Sequence, residues 1–200
     1  MSRAPKALLF DLGGVIVQWR GIEALMKLTG LSRAGIISIL TASEIFQAYE
    51  KGRCSDDIFA AEMIERFSLD MSPAQFKPLW QSWVEQTYPN TKPMLTALRE
   101  RYVMACLSNI NVLHWERLKQ IISVEDYFDH SFASHLMQTA KPAPLSYEIP
   151  IEKLGISPRD IWFFDDTEVN IYAAEQAGLR AFHVDRKWGV IPTLKSLGLA

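Results

Sequence analysis

The sequence predicts an α/β protein, a doubly wound parallel sheet carrying an inserted helical unit. Three observations predict it. The short apolar runs Ala7–Phe10, Val103–Leu107 and Ile161–Phe164 read as strands buried on both faces. From Pro93 onward, strand-like runs alternate with helical periodicity, the signature of βα units. Between the first run and Pro93 lies a long helical stretch with no convincing strand. The core is therefore expected at 1–16 and 93–200, and the helical unit at 17–92.

Within the helical unit, Gly21–Thr29 carries Ile22, Leu25, Met26 and Leu28, and Gly30 stops it. Ser32 caps a helix to Leu40, and Glu44–Lys51 forms another ended by Gly52. Ser55 caps an amphipathic helix with Ile58, Phe59, Met63, Ile64 and Phe67 on one face. Ser72-Pro73 starts a helix expected to reach about Tyr88, with Trp80 and Trp83 packed inward. The alternation then runs through Met94–Arg101, Tyr102–Leu107, His114–Ile122, Ser131–Ser134, Ile161–Phe164, Asn170–Ala177 and Arg180–Val184. Pro150 should break or kink the helical stretch Pro144–Leu154.

The strand ends carry the chemistry. The first run ends at Asp11, followed by Leu12-Gly13-Gly14. The next ends at Ser108-Asn109 and the third at Asp165-Asp166, with Lys141-Pro142 in a loop between them. Open α/β sheets place ligands at these ends. The paired glycines Gly13 and Gly14 let backbone N–H groups approach an anion closely. A carboxylate beside an anion cradle calls for a bound cation, or for a carboxylate that attacks phosphorus. Each residue also has an ordinary reading. Asp11 can cap a turn, Ser108 can cap the following helix, Lys141 can be an exposed loop lysine, and Asn170 can open a helix.

Phe10-Asp11-Leu12-Gly13-Gly14-Val15-Ile16-Val17, Leu107-Ser108-Asn109-Ile110-Asn111, Lys141-Pro142-Ala143-Pro144 and Phe163-Phe164-Asp165-Asp166-Thr167-Glu168-Val169-Asn170 resemble the four ordered motifs of the haloacid dehalogenase superfamily. The Asp-x-Gly first motif is similar to that of bacterial sugar-phosphate phosphatases of the glucose 1-phosphate type. The resemblance implies a Rossmann-like core with a helical cap inserted after the first motif. It implies Asp11 as nucleophile, forming an aspartyl-phosphate, and Lys141 as the group neutralising phosphoryl charge. Mg²⁺ is the implied cofactor, held by Asp11, the Gly13 carbonyl and Asp166, with Asp165 a direct or water-mediated further ligand. Leu12, Gly13, Ser108, Asn109 and Lys141 are the implied phosphate grip. Trp19 and Arg20 could line the entrance, and His114 is a candidate for touching the site.

Two departures stand out. The superfamily's phosphatases usually carry a second Asp two residues after the nucleophile, as general acid and base, and here that position is Gly13. Ala143 stands where the Lys-Pro-x-Pro pattern usually has an acid. General acid–base help is worth ~10²–10⁴-fold, so its loss bears on rate. The reading is a Mg²⁺-dependent phosphomonoesterase on a small phosphorylated metabolite such as a sugar phosphate. The alternatives are a dehalogenase or other C–X hydrolase using Asp11, and a catalytically weak protein binding a phosphorylated ligand or a partner.

A net charge of −2 gives no electrostatic case for nucleic acid or anionic membrane. The apolar run before Asp11 is too short for a signal or membrane segment, so a cytoplasmic protein is expected. Cys106 falls in a buried strand, which argues against a structural disulfide with Cys54, the other cysteine.

Overall fold

The computed structural model describes residues 4–200; residues 1–3 of the expected core segment lie outside them. The chain begins with β1 (Ala7–Phe10) and β2 (Val17–Trp19), then five helices: α1 (Gly21–Thr29), α2 (Arg33–Ala42), α3 (Glu44–Glu50), α4 (Asp56–Arg66) and α5 (Pro73–Ser82). Next come β3 (Val84–Thr87), α6 (Thr91–Arg99), β4 (Val103–Ser108), α7 (Val112–Ile121), α8 (Val124–Tyr127), β5 (His130–Ala133) and α9 (Ser134–Met137). The chain closes with α10 (Leu145–Leu154), β6 (Ile161–Asp165), α11 (Glu168–Gln176), β7 (Arg180–His183) and α12 (Ile191–Ser196).

Five strands form one parallel sheet in the order β5-β4-β1-β6-β7. The chain leaves β1 to build one side of the sheet through β4 and the other through β6. That makes β1 the switch point, where such sheets open a crevice at their carboxyl ends. Phe10 is level with Cys106 on one neighbour and Phe164 on the other. Residues just beyond those three positions therefore meet at one edge.

Continuous apolar strands suit this sheet because both faces are covered. Leu8, Phe10, Cys106 and Phe164 point into one cluster with Leu95, Trp115 and Leu194. Ala7, Leu9, Leu107 and Phe163 point into the other with Tyr147 and Leu179. The strand period of two makes this division. Helices α1–α5 enclose a third cluster around Phe59, Met63, Phe76 and Trp80. Their ends match their chemistry. The Ser32, Ser43 and Ser55 side chains accept from the N–H groups of Gly35, Phe46 and Ile58, and Gly30 closes α1 at φ 72°.

Two expectations are corrected. The helix begun at Pro73 stops at Ser82, and Val84–Thr87 pairs antiparallel with Val17–Trp19. Arg20 N–H donates to the Trp83 carbonyl, so the segment after β1 offers an edge that the β-branched Val84 and Thr87 take in preference to another helical turn. Trp83 packs with the helices while Val84 packs with the sheet, so the chain changes layer between them. Pro150 does not break α10, which runs unbroken from Leu145 to Leu154. Pro150 and Tyr147 are buried against the sheet side, and packing outweighs the one lost helix bond. No single helix among the described residues is long and apolar enough to cross a membrane.

Phe59 is fully buried, stacked 3.9 Å from Tyr49 and edge-on to Trp80 at 4.8 Å. Phe59→Ala should cost about 3–5 kcal/mol in chemical denaturation. A loss below about 1 kcal/mol would show that this cluster does not hold the helices.

Candidate active site

At the carboxyl edge of the sheet lies a cavity of about 340 Å³. Asp11, Leu12, Gly13, Ser108, Asn109, Lys141 and Asp166 all line it. Trp19, Phe46, Trp80 and Val84 form an apolar wall contributed by the helical stretch and the β2–β3 ribbon. Asp165 is fully buried behind the lining.

Lys141 organises the cluster. Its Nζ lies 2.5 Å from Asp165 Oδ2 and 3.1 Å from Asp11 Oδ1, with the side chain 1% exposed. Burial favours the neutral amine, but the Asp11 and Asp165 carboxylates outweigh it and hold the ammonium above the ordinary lysine range. The loop carrying Lys141 is pinned by Asn109. The Asn109 Nδ2 donates to the Lys141 carbonyl and the Lys141 N–H donates to Asn109 Oδ1, both at 2.8 Å. Asp165 is held as firmly. Asn170 Nδ2 lies 3.1 Å from both of its oxygens, and the Thr167 N–H donates to Oδ1 at 2.8 Å.

Asp11 carries an unresolved charge. Burial is the largest influence on it. Lys141 opposes burial and Asp165 and Asp166 add to it, so its carboxyl is pushed up to about 7. Burial likewise raises Asp166, against the pull of Arg186, whose Nε lies 3.6 Å from Asp166 Oδ2. One oxygen from each of Asp11, Asp165 and Asp166 falls within 4.8 Å of the others. Oxygen donors in this density fit a hard divalent cation such as Mg²⁺. Asp11 Oδ1 is buried with the Lys141 ammonium 3.1 Å away as its ion-pair partner, and the Gly13 carbonyl accepts no hydrogen bond among the described residues. Gly14 has φ 82°, and a Cβ there would overlap the Asp166 carboxylate. Backbone donors are also spare, because the N–H groups of Leu12, Gly13 and Asn109 find no acceptor among the described residues. All three residues line the cavity, and an edge with three spare N–H groups suits an anion.

The family model for haloacid dehalogenase-like hydrolases matches residues 5–178. The chain belongs to this family. Phosphatase MT3486 of Mycobacterium tuberculosis is 36% identical to this hydrolase, the match covering 96% of the chain and 94% of the relative. The sesquiterpene phosphatase astK of Aspergillus oryzae is 25% identical over 96% of each. The haloacid dehalogenase family enzyme bt-2542 of Bacteroides thetaiotaomicron, crystallised with magnesium and inorganic phosphate, superposes with a TM-score of 0.76. It is 31% identical, covering 90% of this chain and 94% of that one.

The remaining expectations divide. Trp19 reaches the cavity of the hydrolase, whereas Arg20 turns to the surface and pairs with Glu85 at 3.3 Å. His114 lines the cavity, but both ring nitrogens are engaged, Nε2 with the Trp80 carbonyl at 2.8 Å and Nδ1 with Asn111 at 3.2 Å. Burial pushes it down to about 4, and the contact to the Trp80 carbonyl only partly opposes this. It is a neutral strut between α7 and α5. Part of the cavity escaped the sequence reading. The Asn109 side chain was hidden behind its backbone, and Arg186 and Glu50 lie far from every motif.

The raised Asp11 implies a sign for pH dependence. Its folded pKa exceeds the unfolded value, so its contribution to stability is present below about 4 and is lost as pH rises through about 7. In chelator, Asp11→Asn should therefore gain stability over wild type between about pH 4 and 7, levelling off above. Thermal unfolding across pH checks this. A pH-independent difference would show that Asp11 carries no such burden.

Proposed function

We propose that this hydrolase is a Mg²⁺-dependent phosphomonoesterase acting on a small phosphorylated metabolite through an aspartyl-phosphate on Asp11. The observation that carries the reading is the pairing of spare N–H groups with a crowded carboxylate cluster at one strand edge. An anion cradle beside clustered carboxylates is stable only when further positive charge joins it. The phosphatase names of the relatives support the same reading.

Asp11, the Gly13 carbonyl and Asp166 would hold Mg²⁺; Asp165 has both oxygens engaged and would act through Lys141. Bound Mg²⁺ would supply positive charge that lets the Asp11 carboxylate and the phosphoryl group approach. Lys141 favours the ionised form of Asp11 against burial and faces the charge developing on the phosphoryl oxygens. The Ser108 hydroxyl and the N–H groups of Leu12, Gly13 and Asn109 orient the phosphate. The helical stretch 17–92 would serve as a cap, excluding water while the phosphoryl group sits on Asp11.

A cavity of about 340 Å³ suits a small organic group, and Trp19 and Phe46 offer flat faces to a sugar ring. The same apolar wall favours a second class, a phosphate with an apolar chain. Phosphate release should be measured from a panel holding both classes. Release should stop in chelator and fall at least ~10³-fold in Asp11→Asn. Hydrolysis surviving chelator would favour C–X chemistry, and ligand binding with no turnover would favour a binding protein. Asp166→Ala should raise the Mg²⁺ needed for half-maximal rate. Asp165→Ala should instead destabilise the fold by about 3–5 kcal/mol, because it strips a buried ammonium of its nearer partner.

A further inference from the structure

Breaking a phosphate ester leaves an alkoxide that needs a proton, and Gly13 has no side chain to give one. Among the described residues, the titratable side chains lining the cavity are Asp11, Glu50, His114, Lys141, Asp166 and Arg186. Asp11 and Asp166 belong to the nucleophile and the cation site. Lys141 and Arg186 are cations already paired with carboxylates. His114 has both nitrogens engaged. Glu50 has no task.

Glu50 is the last residue of α3, so it reaches the cavity from the helical side while Asp11 reaches it from the sheet. In-line displacement places the departing oxygen opposite the attacking one. The Glu50 backbone is locked to the sheet layer. Ser134 Oγ donates to its carbonyl at 2.5 Å, and Arg53 Nη2 donates to the Gln138 carbonyl at 2.8 Å. Gly52, at φ 67°, lies so close to the His135 backbone that a Cβ would overlap it. The carboxyl itself makes no hydrogen bond or ion pair among the described residues. A fixed backbone presenting a free carboxyl is how a proton-transfer group is held.

We propose that Glu50 is the general acid and base of this hydrolase, replacing the side chain absent at Gly13; the proposal rests on the phosphatase reading. As Asp11 forms its bond to phosphorus and the ester P–O bond breaks, the Glu50 carboxylic acid gives its proton to the departing oxygen. The Glu50 carboxylate then takes a proton from water, whose oxygen attacks phosphorus and releases Asp11 and inorganic phosphate. Glu50 ends protonated again, and the sum is ester plus water giving alcohol plus phosphate. Burial raises the Glu50 carboxyl to about 7, with Lys141 and Lys51 opposing and Asp11 adding to it. Both protonation states are then populated near neutrality.

The test is single-turnover release of the leaving group, with Mg²⁺, from an alkyl phosphate and from an aryl phosphate with an acidic phenol. Glu50→Gln should slow the alkyl ester ~10²-fold or more and the aryl ester only a few-fold. Gly13→Asp in the Glu50→Gln background should restore part of the alkyl rate. A Cβ at Gly13 meets only Trp19 Cβ, at 3.6 Å, and its φ is not positive. Equal slowing of both esters, or of neither, would overturn the proposal. Should Glu50→Gln fail to fold, the wild-type alkyl rate must still fall as pH rises through about 7; a rate flat across about pH 6–8 overturns it. A wild type inactive on both esters would overturn the phosphatase reading, and Glu50's role with it.

Discussion

A single buried ammonium, Lys141, between Asp11 and Asp165 is the interaction on which the rest of the site depends. Three carboxylates in one small volume repel one another, and burial strengthens the repulsion by removing water. Lys141 offsets two of them. It is held where it can do so by Asn109 on one side and, through Asp165, by Asn170 on the other. Taking away Asp165, the nearer partner, would leave a desolvated ammonium, which is why this pair is a constraint on the fold as well as a piece of chemistry. The compensation is incomplete, since burial, with the Asp165 and Asp166 charges adding to it, still pushes Asp11 towards neutrality. A further cation, and a phosphate brought with it, would relieve the imbalance.

The sheet makes that crowding possible. Because β1 lies between β4 and β6, the residues that follow Phe10, Leu107 and Phe164 emerge side by side. Two buried faces fix the register of each strand, and a slip by one residue would turn Asp11 away from its partners. The helical stretch answers from the opposite side with an aromatic wall and a carboxyl. His114 and Gln81 join the two sides through the Trp80 and Leu113 carbonyls. The cavity is therefore a joint between two hydrophobic clusters, with its polar groups supplied mainly by the sheet.

What was legible in the sequence follows from this arrangement. Asp11, Ser108, Asp165 and Asp166 could be picked out because each ends a strand whose continuous apolar run marks it as central. Lys141 could be picked out only through its Pro neighbour and its place in the motif order. Glu50 and Arg186 were invisible, since nothing local marks a helix-end glutamate or a loop arginine. Arg186 is tied to the Trp19 carbonyl across 167 positions, a contact no window of sequence contains. The strand Val84–Thr87 was missed for a similar reason. Its pairing partner sits more than 60 positions earlier, and the preceding helical pattern runs straight into it. Pro150 shows the opposite error, a local rule overridden by burial.

The measurement closest to the central claim is a rapid acid quench of the enzyme turning over a phosphate monoester with Mg²⁺, followed by peptide mass spectrometry. The account predicts one phosphoryl group on the peptide containing Asp11, absent from Asp11→Asn. With an aryl phosphate, whose leaving group needs no proton, the label should build up further when breakdown of the intermediate is slowed by Glu50→Gln. Turnover with no phosphoryl group ever found on Asp11, under conditions where an acyl-phosphate survives the quench, would contradict it.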